Sequence, residues 1–182
     1  SKQERLEDRR LKTLPEKIVK KEDFTAGLAA DMKTLAEHPH PEDGFAGMEV
    51  RGDTLTDKGN AGAALLDACK EFKGSDPVPV GSYRGFAMSV QFDAWKQEYT
   101  LLLKGQMTHR ATLGTDPRGN LTRIDNALSQ MPQRLEAVAN QLDNLYQQQA
   151  AAKAEAGKPF PQAQELRNKS ARMAGTAAHP NM

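Results

Sequence analysis

Between Ile124 and Leu145 the apolar residues Ile124, Leu128, Met131, Leu135, Val138, Leu142 and Leu145 alternate steps of four and three over three heptads. That spacing places all seven on one stripe of an α-helix, a stripe too apolar to be left in water. Pro132 removes a backbone donor without changing the phase, so a kink or a helix-to-helix break is expected near Ser129 to Met131. A second seam lies near the start of the chain, where Leu14, Ile18, Lys21, Thr25, Leu28, Met32 and Leu35 step the same way. Gly27 and the polar Lys21 and Thr25 weaken it, so it needs a partner. Two such seams suggest long N- and C-terminal helices that pair as a coiled-coil-like hairpin.

Between the seams the hydrophobic period falls from 3.6 to two. Phe86, Met88, Val90 and Phe92 alternate with Ala87, Ser89 and Gln91, the pattern of a strand with one buried face. Gly81 to Gly85 reads as a hairpin connection after a short Pro79-Val80 approach, and Tyr99 to Lys104 and Met107 to Leu113 read as two further strands. Links this short imply an antiparallel meander. The fold class is therefore α+β, an antiparallel β-meander with long terminal helices.

Residues 1–14 form a charged lead-in, as if from a larger protein, and a single α+β domain covers 15–173. Pro15 opens a helix over 15–38, which His38-Pro39-His40-Pro41 ends, and a strand covers 45–51. Thr56 or Asp57 caps a helix over 56–73 that Gly74 stops, and strands fill 78–113. Asp116-Pro117-Arg118-Gly119 makes a type I turn, Asn120 or Thr122 caps a kinked helix over 121–156, a short helix covers 162–173, and 174–182 is a frayed tail.

Composition narrows the function. The 25 Lys and Arg nearly balance 24 Asp and Glu, for a net charge of +1, so total charge implies neither a strongly basic nucleic-acid binder nor an acidic mimic. No run approaches the roughly 18 to 20 apolar residues of a membrane span, and the opening residues lack the pattern of a secretory leader. A soluble, cytoplasmic chain is expected. Cys69 is the only cysteine, which excludes an internal disulfide or a multi-thiolate zinc site, and its place on an apolar helix face suggests an inert buried thiol.

Catalytic patterns are missing. Gly52 to Gly62 is glycine-rich ahead of a helix but lacks the Lys and hydroxyl of a phosphate-binding loop. His38 and His40 supply two metal donors in a proline-rich connector, fewer than a site needs. His109, beside Arg110 and with no acid near it in sequence, reads as a surface histidine, and Asp53, Asp57 and Asp67 do not form a carboxylate pair. No enzyme, cofactor or metal is expected. One pattern survives: Lys104, His109, Arg110, Arg118 and Arg123 cluster in sequence, and Tyr83-Arg84 joins them if the meander pairs. These seven residues are the candidate contacts to a DNA backbone. The plainer reading is a solvated strand whose cations guard an edge from aggregation.

Three blocks carry a resemblance: Gly81-Ser-Tyr-Arg-Gly-Phe86, the run from Leu113 through Asp116-Pro-Arg-Gly119 to Leu128, and Gly157-Lys-Pro-Phe-Pro161 with Glu165 to Arg172. In their order and spacing they resemble the C-terminal region of very large bacterial proteins of conjugative and phage-like mobile elements. Those proteins join a Snf-type superfamily-two helicase to an adenine-specific DNA methyltransferase-like domain. The likeness runs from the helix at Pro15 to Met173 and includes none of the family's catalytic motifs. Past that point the chain reads Ala174-Gly-Thr-Ala-Ala-His-Pro180, where the family's last helix continues with leucines. The resemblance implies a non-catalytic accessory domain whose partners are upstream helicase and methyltransferase-like domains of the same polypeptide, and DNA through its backbone. The alternative is a self-associating coiled-coil scaffold, a homodimer through the heptad helices, without nucleic-acid binding.

Overall fold

The computed structural model describes residues 2–157, so the short helix and the tail expected over 162–182, and the third block of the resemblance, lie outside the described residues. The described residues divide into two compact units, one of residues 19–141 and one of residues 2–18 with 142–157. The helices at the two ends contribute to both.

The larger unit holds a six-stranded sheet in the order β2-β1-β3-β4-β5-β6, every neighbouring pair antiparallel. Its strands are β1 (Met48–Val50), β2 (Asp53–Leu55), β3 (Val78–Tyr83), β4 (Phe86–Asp93), β5 (Glu98–Lys104) and β6 (Thr108–Leu113). The last four form the meander. The helices are α1 (Lys2–Glu37), α2 (Lys58–Lys70), α3 (Pro117–Ser129) and α4 (Met131–Ala156). No helix among the described residues is long and apolar enough to cross a membrane.

Register sorts the side chains into two faces. Met88 pairs with Leu103 and Val90 with Leu101, and these join Phe86, Ala111 and Leu113 in a core that Leu28 of α1, Leu65 of α2 and Leu121, Ile124 and Leu128 of α3 complete. On the other face Ser89 lies across from Leu102, and Leu102 across from Arg110. Period two in the sequence thus became one covered face and one mostly open face, on which Leu102 is buried.

Several elements differ from the sequence reading. The helix expected from Pro15 begins at Lys2, with Pro15 inside it. Residues 2–14 are rich in strong helix formers, and burial of Leu14 and Ile18 offsets the bond that Pro15 cannot make. The single strand expected over 45–51 is a hairpin, because Arg51 and Gly52 both take positive φ (53° and 89°), the conformation of a type I′ turn that returns the chain as β2. β3 continues through the supposed turn to Tyr83, and the reversal falls on Arg84 and Gly85, φ 47° and 87°. Asp57 caps α2 by accepting the Asn60 N–H at 2.9 Å, and α2 ends at Lys70 rather than 73. Asp116 is no turn opener; it is the N-cap of α3, accepting the Gly119 N–H with Pro117 at the first helical position. Asn120 instead clasps the preceding loop, its side chain bonded to both N–H and C=O of Gly114.

The heptad stripe is interrupted at Gln130, where α3 gives way to α4. Ile124, Leu128 and Met131 are buried in the core of the larger unit and Val138 is nearly so. In the smaller unit the first half of α1 and the second half of α4 lie side by side, with Leu14, Ile18 and Leu142 buried and Glu4, Asp8, Gln148 and Ala152 lining one groove between them.

Candidate functional site

The seven candidate residues come from β3, the β3–β4 turn, β5, β6 and α3, and the fold divides them into three groups. His109 is the clearest departure. It is not on the surface; it is 1% exposed and bonded through Nε2 to Asp31 Oδ2 at 2.7 Å, an acid 78 residues away on α1. The cause is strand alternation, since His109, Ala111 and Leu113 face inward while Thr108, Arg110 and Thr112 face out. Arg134 of α4 donates to His109 Nδ1 at 2.8 Å. A guanidinium can only donate, so Nδ1 accepts and the ring proton sits on Nε2, pointing at Asp31. Asp31 also accepts the N–H groups of Gln106 (2.7 Å) and Met107 (2.9 Å) in the β5–β6 turn. The buried carboxylate has three donors, both imidazole nitrogens are engaged, and neither residue can reach a ligand.

Tyr83 and Arg84 are also spent internally. Tyr83, 1% exposed, donates to Asp125 Oδ1 of α3 at 2.6 Å, while His40 Nε2 meets Asp125 Oδ2 at 3.0 Å. Ala46 donates its N–H to His40 Nδ1, which fixes the His40 proton on Nε2 facing the carboxylate. Phe45 stacks on both rings, with centroids 5.9 Å from His40 and 6.0 Å from Tyr83. Burial, and then the Asp125 carboxylate, push the Tyr83 phenol well above its ordinary pKa. Arg84 donates from Nε to the His38 carbonyl at 2.8 Å and lies 3.4 Å from Asp125. This cluster clamps the connector after α1 onto the β3–β4 turn and α3.

Four cations remain. Arg118 turns toward the start of α2, where a Cβ placed on Gly59 would meet both Arg118 Nη2 and Asp57 Oδ2 at 3.2 Å. Arg110 and Arg123 lie along β6, an edge strand, and Lys104 ends β5 across from Thr108. Gly105 donates to the Met107 carbonyl at 2.9 Å, so 105 and 107 form a hydrogen-bonded pair of the antiparallel ladder. By alternation 103 with 109 and 101 with 111 do too, and the pairs at 108, 110 and 112 are the non-bonded kind, with N–H and C=O directed away from β5. Arg123 reports the same thing, because its Nη1 donates to the outward Thr112 carbonyl at 3.1 Å. Between this edge and α3 runs a shallow cleft of about 290 Å³, lined by Arg110, Thr112, Arg123, Asn126 and Gln130 over a floor of alanines. No carboxylate lines it.

Of the seven candidates the fold brings Arg110 and Arg123 to one cleft, and the sequence reading missed the two polar clusters. Alternation along β6 was a usable signal for His109. Nothing local in sequence pointed to Asp31 or Asp125. Cys69 is buried, and burial pushes its thiol up to about 11. Among the described residues no three His, Cys, Asp or Glu side chains are placed to hold a metal. No family model, curated protein or solved structure matches the chain.

Proposed function

We propose that this chain is a non-catalytic accessory module of a larger DNA-handling polypeptide of the helicase and methyltransferase-like kind. It contacts the phosphate backbone along the β6 edge through Lys104, Arg110 and Arg123. The observation that carries this reading is the disposition of the cations: Arg84 and Arg134 are spent on internal partners, whereas Arg110 and Arg123 line one cleft at the open β6 edge and Lys104 stands across from Thr108 at the end of β5. Outward N–H groups of Thr108, Arg110 and Thr112 add neutral donors to the same line. Such a surface follows phosphates without reading bases. The seam helices support a contact module over a self-assembling scaffold, because Ile124, Leu128, Met131, Val138 and Leu142 are already buried within one chain.

The test is binding of a labelled duplex and of a labelled single strand at low salt, read by anisotropy. Three phosphates neutralised predict a log–log salt slope of roughly −2 to −3. Lys104→Glu with Arg110→Glu, both exposed, reverses the sign of the edge and abolishes retention while leaving the circular dichroism unchanged. A wild-type chain that ignores DNA at low salt refutes the proposal.

A further inference from the structure

The β4–β5 hairpin ends in Trp95, the chain's only tryptophan, and it is 94% exposed. A tryptophan usually buries 150–250 Å², so an indole left almost wholly in water carries a large unused apolar face. Asp93 Oδ1 accepts the N–H groups of both Trp95 (3.0 Å) and Lys96 (3.1 Å), and Gln97, at φ 55°, donates its side-chain amide to the Ala94 carbonyl at 2.6 Å. Every one of these bonds is made within residues 93–97, which holds the backbone of the tip in one shape.

The tip lies in line with the cationic edge. Along β5 and β6, Lys104 stands across from Thr108, Arg110 across from Leu102, and Thr112, whose carbonyl Arg123 holds, across from Thr100. Beyond Glu98 the strand becomes the loop that carries Trp95 and Lys96. From Lys104 to Glu98 is six residue steps, roughly 20 Å. The outer sheet face at the tip end holds the paired acids Asp93 and Glu98, so an anionic chain is favoured along the β6–α3 side instead.

We infer that the nucleic acid held by this edge is single-stranded, its backbone following Lys104, Arg110 and Arg123 and an unstacked base lying on Trp95. The inference rests on the backbone-contact reading above and names its substrate class. A positive track with an aromatic platform suits a single strand, because every base offers a π-face, whereas in a duplex those faces are already covered.

Trp95 is its own reporter. Titrating the protein with a twelve-residue oligothymidylate at low salt should quench the tryptophan emission, while a blunt hairpin duplex of equal charge leaves it nearly unchanged. Trp95→Leu should weaken oligothymidylate binding, read by anisotropy, about tenfold or more, with duplex affinity altered less than twofold. Because the ring is exposed, the variant should fold normally, which circular dichroism checks. If oligothymidylate binds without quenching and Trp95→Leu binds as well as wild type, the stacking inference is overturned and the backbone contact stands. Equal quenching by duplex and single strand overturns the single-strand assignment. If neither nucleic acid binds, both readings fail and the tip is left as a protein-docking element.

Discussion

Replacing Asp31 should be the most damaging single change that removes no apolar group. The carboxylate is 1% exposed and accepts three hydrogen bonds, from Gln106 N, Met107 N and His109 Nε2. In Asp31→Ala these donors keep their positions in the β5–β6 turn and lose their acceptor. A buried donor left unmet costs about 1–3 kcal/mol, and water entering the space recovers part of that, so the net loss should be about 4 kcal/mol. Against a domain stability of roughly 5–15 kcal/mol this leaves a marginal fold. Asp31→Asn is the sharper test. The amide keeps the shape but presents a donor where the carboxylate had only acceptors, and one of the three partners must face it. His109 could relieve the clash by moving its proton to Nδ1, yet Arg134 donates to that nitrogen and forbids it. Asp31→Asn should therefore cost about 2–3 kcal/mol, and Arg134→Met should make the second substitution less harmful than it is alone. Urea unfolding followed by far-ultraviolet circular dichroism on the four proteins of the cycle measures the coupling. A loss under about 1 kcal/mol in Asp31→Ala, or additivity within about 0.5 kcal/mol in the cycle, refutes the locked-tautomer reasoning.

Three more expectations use other parts of the fold. Tyr83→Phe removes the phenol that meets Asp125 at 2.6 Å and should cost about 1.5–3 kcal/mol in urea unfolding, the range for a hydrogen bond to a charged group. Gly62→Ala would raise helix propensity by about 1 kcal/mol, but a Cβ there comes within 2.6 Å of the Pro117 carbonyl carbon, so a net loss is expected and any gain in melting temperature contradicts the close approach of α2 and α3. Cys69, raised from 9.0 to about 11, stays protonated in the fold at a pH where the unfolded chain ionises it. The folded state then binds more protons, so this contribution is complete below pH 9 and is lost as pH rises from 9 to 11; Cys69→Ala should flatten that limb of the stability profile.

What the sequence disclosed depended on the range over which each signal acts. Periodicity is local, and it yielded the meander, the covered face of β4, the interior place of Cys69 and the interruption near Pro132. Turn chemistry was legible only where it uses the usual residues. Arg51-Gly52 and Arg84-Gly85 each put a non-glycine residue at positive φ, a conformation arginine rarely signals, so β2 was missed and β3 was cut short at Val80. His109 went astray for another reason. Its partner was sought among its neighbours, while the acid that buries it stands 78 residues earlier on α1. Asp125 was likewise invisible as a hub, because it gathers His40, Tyr83 and Arg84 from separate connections that only the folded sheet brings together.

These two acids also account for a surface that the net charge of +1 conceals. Asp31, through His109, holds Arg134 inward, and Asp125 holds Arg84 inward, so two carboxylates and two guanidinium groups are withdrawn from the field that a ligand meets. Each withdrawal also fixes an element beside the edge: Asp31 fastens α1 to the β5–β6 turn, and Asp125 fastens α3 to the β3–β4 turn. With the first and last turns of the meander pinned, α3 keeps Arg123 on the Thr112 carbonyl, so this cation is placed beside the β6 edge before any partner arrives. An arginine already held in place loses less side-chain entropy on contact than a free one would. It follows that breaking the Asp125 clamp with Tyr83→Phe should weaken nucleic-acid binding at the β6 edge, although Tyr83 itself is buried and touches nothing there. If binding instead survives unchanged while stability falls, the edge cations act as independent surface charges and preorganisation has no part in the contact.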